Sequence, residues 1–406
     1  MRGEGMARRG ARHRVVILGA QFGGLSVAHW IARLAGRDDA DVVVVSAKSY
    51  AVYKPDLVFS ADARPAFVRR LRVDLVAICR RLGARLLIDY ALGIEPGRGR
   101  VHLAQNGALD YDSLFWATGM DYAWSRVPGA GPDSGFTCED YAARDLATRL
   151  DRLAGGTVAL VAGPLHQDPA ARPALACSCD CALLEWLFPT RTHLRRTGVL
   201  GRTRFVLVTG AAAAAETFGP RGQARLREVI RASGVEVRER TAVLECRPDG
   251  LVLDGPHGRE RLGASLTFWM PPTAGSALAR QSGLDDGWGW VSTNEFMQHV
   301  RWPNIYAVGD LNRRTLPKHG HTAMIQARVA VRRWAAETLG ARPGPAFEPR
   351  TISLAYLGGG RGLLDVTDTL QGGRSEFLLD GRVTTLAKQV FGLAYRWGRG
   401  GLPVMP

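Results

Sequence analysis

The sequence has no run of about 18 apolar residues, the length a helix needs to span a bilayer, so no spanning helix is expected. A processed leader is not expected either. The basic start MRGEGMARRGARHR runs into the apolar stretch VVILGA with no small-residue cleavage site, and it reads as a ragged start before a strand. Acidic residues are short, with 38 Asp and Glu against 53 Lys and Arg, a net charge of +15. That surplus favours anionic partners such as nucleic acid, anionic lipid or an anionic cofactor. GC-rich codon usage explains it equally well. The Arg residues are dispersed and no nucleic-acid motif accompanies them, so no nucleic-acid partner is expected. Cysteine is also scarce, at six residues, and three of these (Cys177, Cys179 and Cys181) alternate within one stretch. A disulfide scaffold would spread them out. The cluster points instead to redox or metal chemistry in a reducing compartment, and hence to a cytoplasmic protein. Between the two, a C-x-C spacing is not the C-x₂-C of a zinc site and no paired His follows, so no metal site is expected.

What is present is the make-up of a folded enzyme. Apolar residues are 46% and charged residues 22% of 406 positions, enough for a sizeable core and two to three domains at about 150 residues each. Glycine is abundant, at 48 residues, as Gly-rich nucleotide loops would require. RVVILGA is a continuous apolar run ending at Gly19, the pattern of a strand buried on both faces of a parallel sheet. The segment from Leu25 to Leu34 has helical composition, and DVVVVSAKSY is a second buried strand. Residues 66–82 are expected to form one basic amphipathic helix, and residues 84–119 a β-meander returning to a strand. A second α/β unit starts near residue 156 with GTVALVAG, and NIYAVGD (304–310) is a strand followed by a long helix. The Pro/Gly-rich linker GARPGPAFEPR sets off the end of the chain. The expected fold class is α/β: two Rossmann-like dinucleotide-binding domains plus a small α+β C-terminal domain. The boundaries are 12–120 with 290–340 for the first domain, 121–289 for the second and 345–406 for the third.

The first turn reads Gly19-Ala20-Gln21-Phe22-Gly23-Gly24. In a G-x-G-x-x-G loop the first Gly makes the tight turn and the last lets helix pack on strand. The middle one lets the backbone approach a pyrophosphate at the helix N-terminus, where free N–H groups and the helix dipole favour anions. Here Gln21 stands at the middle position. Its side chain either crowds the phosphate or hydrogen-bonds it. The acidic residue expected about 20 positions on, to hold a ribose hydroxyl, is absent. Ser46 takes its place, with Lys48 near enough to meet a phosphate. Two further segments favour FAD over a ligand-free turn. Ala117-Thr118-Gly119 has the shape of the "ATG" turn of flavoproteins with two dinucleotide domains. Gly309-Asp310 ends a strand whose Asp would hold the ribityl chain.

With these elements in order, the chain resembles the sulfide:quinone oxidoreductase and flavocytochrome c sulfide dehydrogenase group of the flavoprotein disulfide reductase superfamily. The resemblance runs from about residue 14 to 400. Ser46-Ala47-Lys48-Ser49-Tyr50 is similar to the group's second-strand end, and Lys54-Pro55 to a loop beside its flavin ring. Pro317-Lys318-His319-Gly320 resembles its "PKSG" segment, and Leu386–Phe391 with Tyr395 and Arg399 its C-terminal tail. The resemblance implies FAD held by Gly19, Gln21, Phe22, Gly23, Gly24, Ser46, Ala47, Lys54, Pro55, Ala117, Thr118, Gly119, Gly309, Asp310 and Lys318. It implies a redox cysteine at Cys179, six residues before Glu185, with Cys138 as an additional thiol. Glu185 is a candidate proton acceptor, and His319 and His321 are candidate proton shuttles. Lys318 would balance charge on the reduced flavin. The group's second essential cysteine falls at Ser353, which can form neither a persulfide nor a disulfide. Cys177 or Cys181 then becomes the candidate resolving thiol.

The second dinucleotide loop is missing. GTVALVAG leads into Pro164-Leu165-His166-Gln167-Asp168-Pro169, which offers no phosphate cradle to a nicotinamide dinucleotide. Near the C-terminus, Leu386, Val390, Phe391, Leu393 and Trp397 alternate with Lys388, Arg396 and Arg399. This basic amphipathic pattern suits the surface of an anionic bilayer, or equally a packed helix or a homodimer contact. Three functions follow. The first is an FAD-dependent oxidation of a reduced sulfur compound with a quinone or another acceptor. The second is a tailoring oxidoreductase acting on a small organic substrate. The third is a non-catalytic relative without cofactor.

Overall fold

The structure, a computed structural model, describes residues 12–61, 65–398 and 400, so the basic start and Arg399 lie outside the described residues. Strand His13–Leu18 is central in a five-stranded sheet. Ala40–Ser46 and then Arg85–Ile88 flank it on one side, Ser113–Trp116 and then Ile305–Ala307 on the other, all parallel. The sequence run is continuously apolar because both faces are covered. Val15 and Ile17 enter the core beneath helices Phe22–Leu34 and Gly320–Leu339. Val16 and Leu18 enter a second core, shared with Ile94, Val101 and Leu109 of the meander. Strand Ile305–Ala307 thus brings Asp310 and the segment after it back to the first domain.

A second sheet places Gly156–Ala162 between Thr203–Thr209 and Leu266–Met270, with Glu236–Arg238 outermost, again all parallel. The chain closes with an antiparallel sheet of Thr351–Gly358, Arg361–Thr367 and Glu376–Gly381, followed by helix Arg382–Trp397. This α/β architecture is the fold class expected from the sequence.

Two local expectations are corrected. Residues 66–82 are not one helix: Pro65–Arg70 and Leu75–Leu82 are separated by strand Arg72–Asp74, which pairs with Tyr50–Val52. The break lies at Asp74, whose carboxylate accepts the Val76 and Ala77 N–H groups and so starts a new helix. The last helix is also turned over. Val383, Leu386, Val390, Leu393 and Trp397 form an exposed stripe, with Trp397 79% exposed, while Thr384, Lys388, Gly392 and Tyr395 are buried. Lys388 therefore belongs to the inner face and not to a basic outer one. Phe377 and Leu379 of the neighbouring strand are exposed as well.

Candidate functional site

The Gly19 turn is built for close approach. Gly19 has φ +91°, and a Cβ there would lie 2.4 Å from the Ala117 carbonyl oxygen. A Cβ on Gly24 would lie 1.8 Å from the Gly19 oxygen. Gly23 is looser, with Val308 at 3.3 Å and Ala117 at 3.4 Å from such a Cβ. Gln21 caps helix Phe22–Leu34 with extended backbone but gives its side chain to another segment: its Oε1 accepts the Val52 N–H at 3.2 Å. The amide that threatened the phosphate path is thus tied to the neighbouring strand. Phe22 packs on Tyr53 and Tyr395.

Around this turn, the Ser46 hydroxyl donates to the Lys48 carbonyl at 2.9 Å. Ala47 beside it is exposed, and Pro55 is half-buried. Lys48 and Lys54 share one carboxylate, Glu139, at 3.1 and 2.9 Å. Burial pushes Glu139 up, but the two ammonium groups pull it below the usual range. Thr118 accepts the Trp116 indole N–H at 2.9 Å, and Gly119 sits at φ +80°. Gly309, at φ +78°, donates its N–H to Gln326 at 2.8 Å.

FAD fits this cradle on two counts. Side chains are barred at Gly19 and Gly24, and the Asp310 carboxylate, half-buried, takes no hydrogen bond among the described residues. Burial raises the Asp310 carboxyl, with Lys318 and Lys54 opposing. The Lys318 ammonium donates to the Asp310 and Asn312 carbonyls at 2.8 and 3.1 Å and lies 4.0 Å from the centre of the Trp290 ring. Burial pulls it down to about 7. Its place is under the Asp310 turn, which it braces.

The cysteines gather at the start of helix Asp180–Arg196, whose N-cap is Cys179. In a dinucleotide domain this helix would begin directly after strand Gly156–Ala162 and face the pyrophosphate. Here a Cβ on Gly163 would meet the Met270 oxygen at 2.5 Å, and the chain continues through the short strand Leu165–His166 before turning into the helix. The helix N-terminus is given to sulfur. The Cys179 and Cys181 Sγ atoms are 3.0 Å apart, and the Cys181 Sγ is 3.3 Å from His319 Nε2. The backbone N–H of Lys318 donates to the Ser178 carbonyl at 2.9 Å, joining the two segments.

Cys179 is drawn well below the usual thiol range, first by the Cys181 S–H, with burial opposing and His319 and the Ala182 N–H assisting. Burial pulls His319 down, but the Cys179 charge outweighs it and holds the ring above its usual value. Burial and His319 bring His321 down to about 3, and its Nε2 accepts the Ile352 N–H at 3.2 Å. His319 therefore belongs to the thiols and His321 to the C-terminal sheet. Cys179, Cys181 and His319 have their ligand atoms within 4.8 Å of one another, a soft set able to hold a metal ion. Spacing along the chain did not show this, because His319 arrives from a distant segment.

Other expected residues stand further off. Cys138 contacts Thr137 and Met270, each at 3.6 Å, and burial pushes its thiol up to about 11. Glu185, one turn after Cys181 on the same helix, is engaged by Lys388 and by the Tyr356 N–H, so its carboxylate is already occupied. Ser353 is buried and donates to the Thr217 carbonyl at 3.5 Å. Asp180 and Glu216 were not anticipated. Asp180 accepts the Thr217 hydroxyl and the Glu216 N–H, and Glu216 accepts the Cys177 N–H at 2.7 Å. Burial raises them to about 6 and about 7. Their proximity in sequence to the thiols (Asp180) was visible, but their partnership was not.

Residues 13–327 match the family model for pyridine nucleotide-disulphide oxidoreductases. The mitochondrial sulfide:quinone oxidoreductase of Mus musculus is 22% identical over 331 residues, 79% of this chain and 69% of that one. A type II NADH:quinone oxidoreductase of Staphylococcus haemolyticus is 21% identical over 327 residues, 78% and 80% of the two chains. The crystal structure of the sulfide:quinone oxidoreductase of Aquifex aeolicus superposes with a TM-score of 0.85 at 18% identity, over 96% of this chain and 91% of that one. At such identities the superposition speaks to the fold, whereas the family match spans most of the chain. The chain belongs to the pyridine nucleotide-disulphide oxidoreductase family and is an FAD-dependent oxidoreductase.

Proposed function

We propose that the protein oxidises a reduced sulfur compound, sulfide being the simplest, at the thiols around Cys179, and that the electrons leave through FAD to a quinone. The observation that carries this reading is the placement of Cys179 and Cys181, with His319 against them, on the helix N-terminus that a nicotinamide dinucleotide would otherwise need. An electron donor that is itself a sulfur nucleophile needs a disulfide to attack, and a sulfur of depressed pKa such as Cys179 is a good leaving group from one. The names of two relatives, sulfide:quinone oxidoreductases, agree with it.

FAD, when bound, supplies a two-electron acceptor. The chain does the rest. Gly19, Gly23, Gly24 and the first N–H groups of helix Phe22–Leu34 would hold the diphosphate. Ser46 would serve the ribose, and the open carboxylate of Asp310 a ribityl hydroxyl. Lys318 keeps Asp310 in place. His319, 3.3 Å from Cys181, takes and returns the thiol proton.

No described helix is long and apolar enough to cross a membrane. The exposed stripe Val383–Trp397 would rest at a bilayer interface, where a quinone is dissolved. The alternative occupant of that stripe is a second copy of the chain. Ser353 favours a second reading, oxidation of a small organic substrate without thiol chemistry. The two separate in one experiment. Under the sulfur reading, the protein is yellow, anaerobic sulfide bleaches it, NADH does not, and Cys179→Ser abolishes the bleaching. Turnover unchanged by Cys179→Ser would support the organic substrate instead.

A further inference from the structure

We infer that Cys181 is the redox partner of Cys179, so that the working disulfide forms within the segment Cys177–Cys181 and stands in for the thiol missing at position 353. This deepens the sulfur-oxidising reading and rests on it for its substrate, though not for the bond itself.

Cys138 and Cys177 feel the charge of Cys179, but among the described residues no thiol other than Cys181 makes a direct contact with its sulfur. Cys79 is in the core behind the first sheet, and Cys246 packs against the second sheet. Cys177 is fully buried, with its backbone N–H held by Glu216. Cys138 rests on Thr137 and Met270, and Ser353 on the Thr217 carbonyl. Only Cys181 brings its sulfur to 3.0 Å from the Cys179 sulfur among the described residues. The two differ in setting. Cys179 is the helix N-cap and 7% exposed, whereas Cys181, half-buried, is next to His319. The His319 Nδ1 is buried with no hydrogen-bond partner among the described residues, so no second contact fixes which ring nitrogen carries the proton.

These settings assign the roles. Hydrosulfide attacks the Cys181 sulfur of the disulfide. A sulfur–sulfur bond forms on Cys181, the Cys179–Cys181 bond breaks, and Cys179 leaves as a thiolate where the helix N-terminus favours negative charge. The sulfide sulfur has lost two electrons and the disulfide has gained them. A second hydrosulfide, or a soluble thiol, then takes the outer sulfur and leaves the Cys181 thiol. The disulfide re-forms when Cys179 and Cys181 give up two electrons, which FAD, when bound, would accept, and the Cys181 proton departs through His319.

The test is peptide mapping of the flavin-loaded, air-oxidised protein, alkylated without reduction. The peptide carrying residues 177–181 is expected to be two hydrogens lighter, with Cys179 and Cys181 both unalkylated. Cys138→Ser and Cys177→Ser should keep this bond. One equivalent of anaerobic sulfide should leave one extra sulfur on Cys181. Cys181→Ser should stay yellow and lose sulfide bleaching by roughly 100-fold or more. A disulfide joining Cys179 to Cys138 or Cys177 overturns the inference, as does bleaching of Cys181→Ser at the unmutated rate. The bond is read without substrate, so a 179–181 disulfide in a protein that sulfide fails to bleach upholds the pair and overturns the sulfur donor alone.

Discussion

Lys388 on the last helix and Glu185 on the cysteine-bearing helix form an ion pair in which both side chains are buried, 6% and 7% exposed. The pair fastens the C-terminal helix to the start of the candidate site, and the Tyr356 N–H adds a third partner at 2.6 Å. Removing one charge strands the other. Lys388→Met is expected to cost about 3–5 kcal/mol in urea unfolding. The double variant Lys388→Met, Glu185→Gln should recover most of that loss. If Glu185 worked mainly as a proton acceptor, Glu185→Gln would instead spare stability and slow thiol chemistry.

Flavin content should follow the glycine geometry. With only 1.8 Å available between a Gly24 Cβ and the Gly19 carbonyl oxygen, Gly24→Ala is expected to yield protein with little or no flavin. Gln21→Gly restores the usual loop but releases the Val52 N–H held at 3.2 Å. It should leave the flavin-to-protein absorbance ratio within about twofold, because the Gln21 side chain is already turned aside. A large gain in flavin on Gln21→Gly would show that the amide does obstruct the cofactor.

Sequence reading reached the frame of the molecule because its signals are local. Buried parallel strands are continuous apolar runs, as in Val15–Leu18, and the Gly19 and Gly24 positions follow from backbone clearance. The cysteine cluster was legible for the same reason. What escaped was long-range. Nothing near Cys181 announces His319, which is delivered by the return of strand Ile305–Ala307 to the first sheet. The direction of the last helix was also hidden. A single Lys388 amid apolar residues looks like the wet face until Glu185 is known to await it. The break at Asp74 was a local signal, an N-cap within an amphipathic stretch, and it was there to be read.

Stability should depend on pH in an unusual sense. Burial raises Asp365 to about 6, with Glu376 adding and the Gly219 N–H opposing. A folded-state value above the unfolded one means that folding takes up a proton between about 4 and 6. The contribution of Asp365 therefore falls as pH rises through about 6, by on the order of 2 kcal/mol. Asp365→Asn still accepts the Gly219 N–H and should flatten that slope in urea unfolding followed from pH 4.5 to 7.5. An unchanged slope would place the titration on other groups.

The exposed stripe of the last helix should govern surface association. Leu386→Asp with Val390→Asp is expected to weaken flotation with anionic phosphatidylglycerol vesicles about tenfold or more, while the flavin spectrum stays intact. If vesicle binding is unaffected and the double variant turns a dimer into a monomer in sedimentation, the stripe is a subunit contact.

The visible spectrum of the purified protein, recorded anaerobically before and after one equivalent of sulfide, bears most directly on the claim that flavin and the Cys179 cluster work as one site. A yellow protein that bleaches with sulfide, and a Cys179→Ser variant that is equally yellow but keeps its colour, are the results expected. A flavin-loaded protein whose spectrum sulfide leaves untouched contradicts the account.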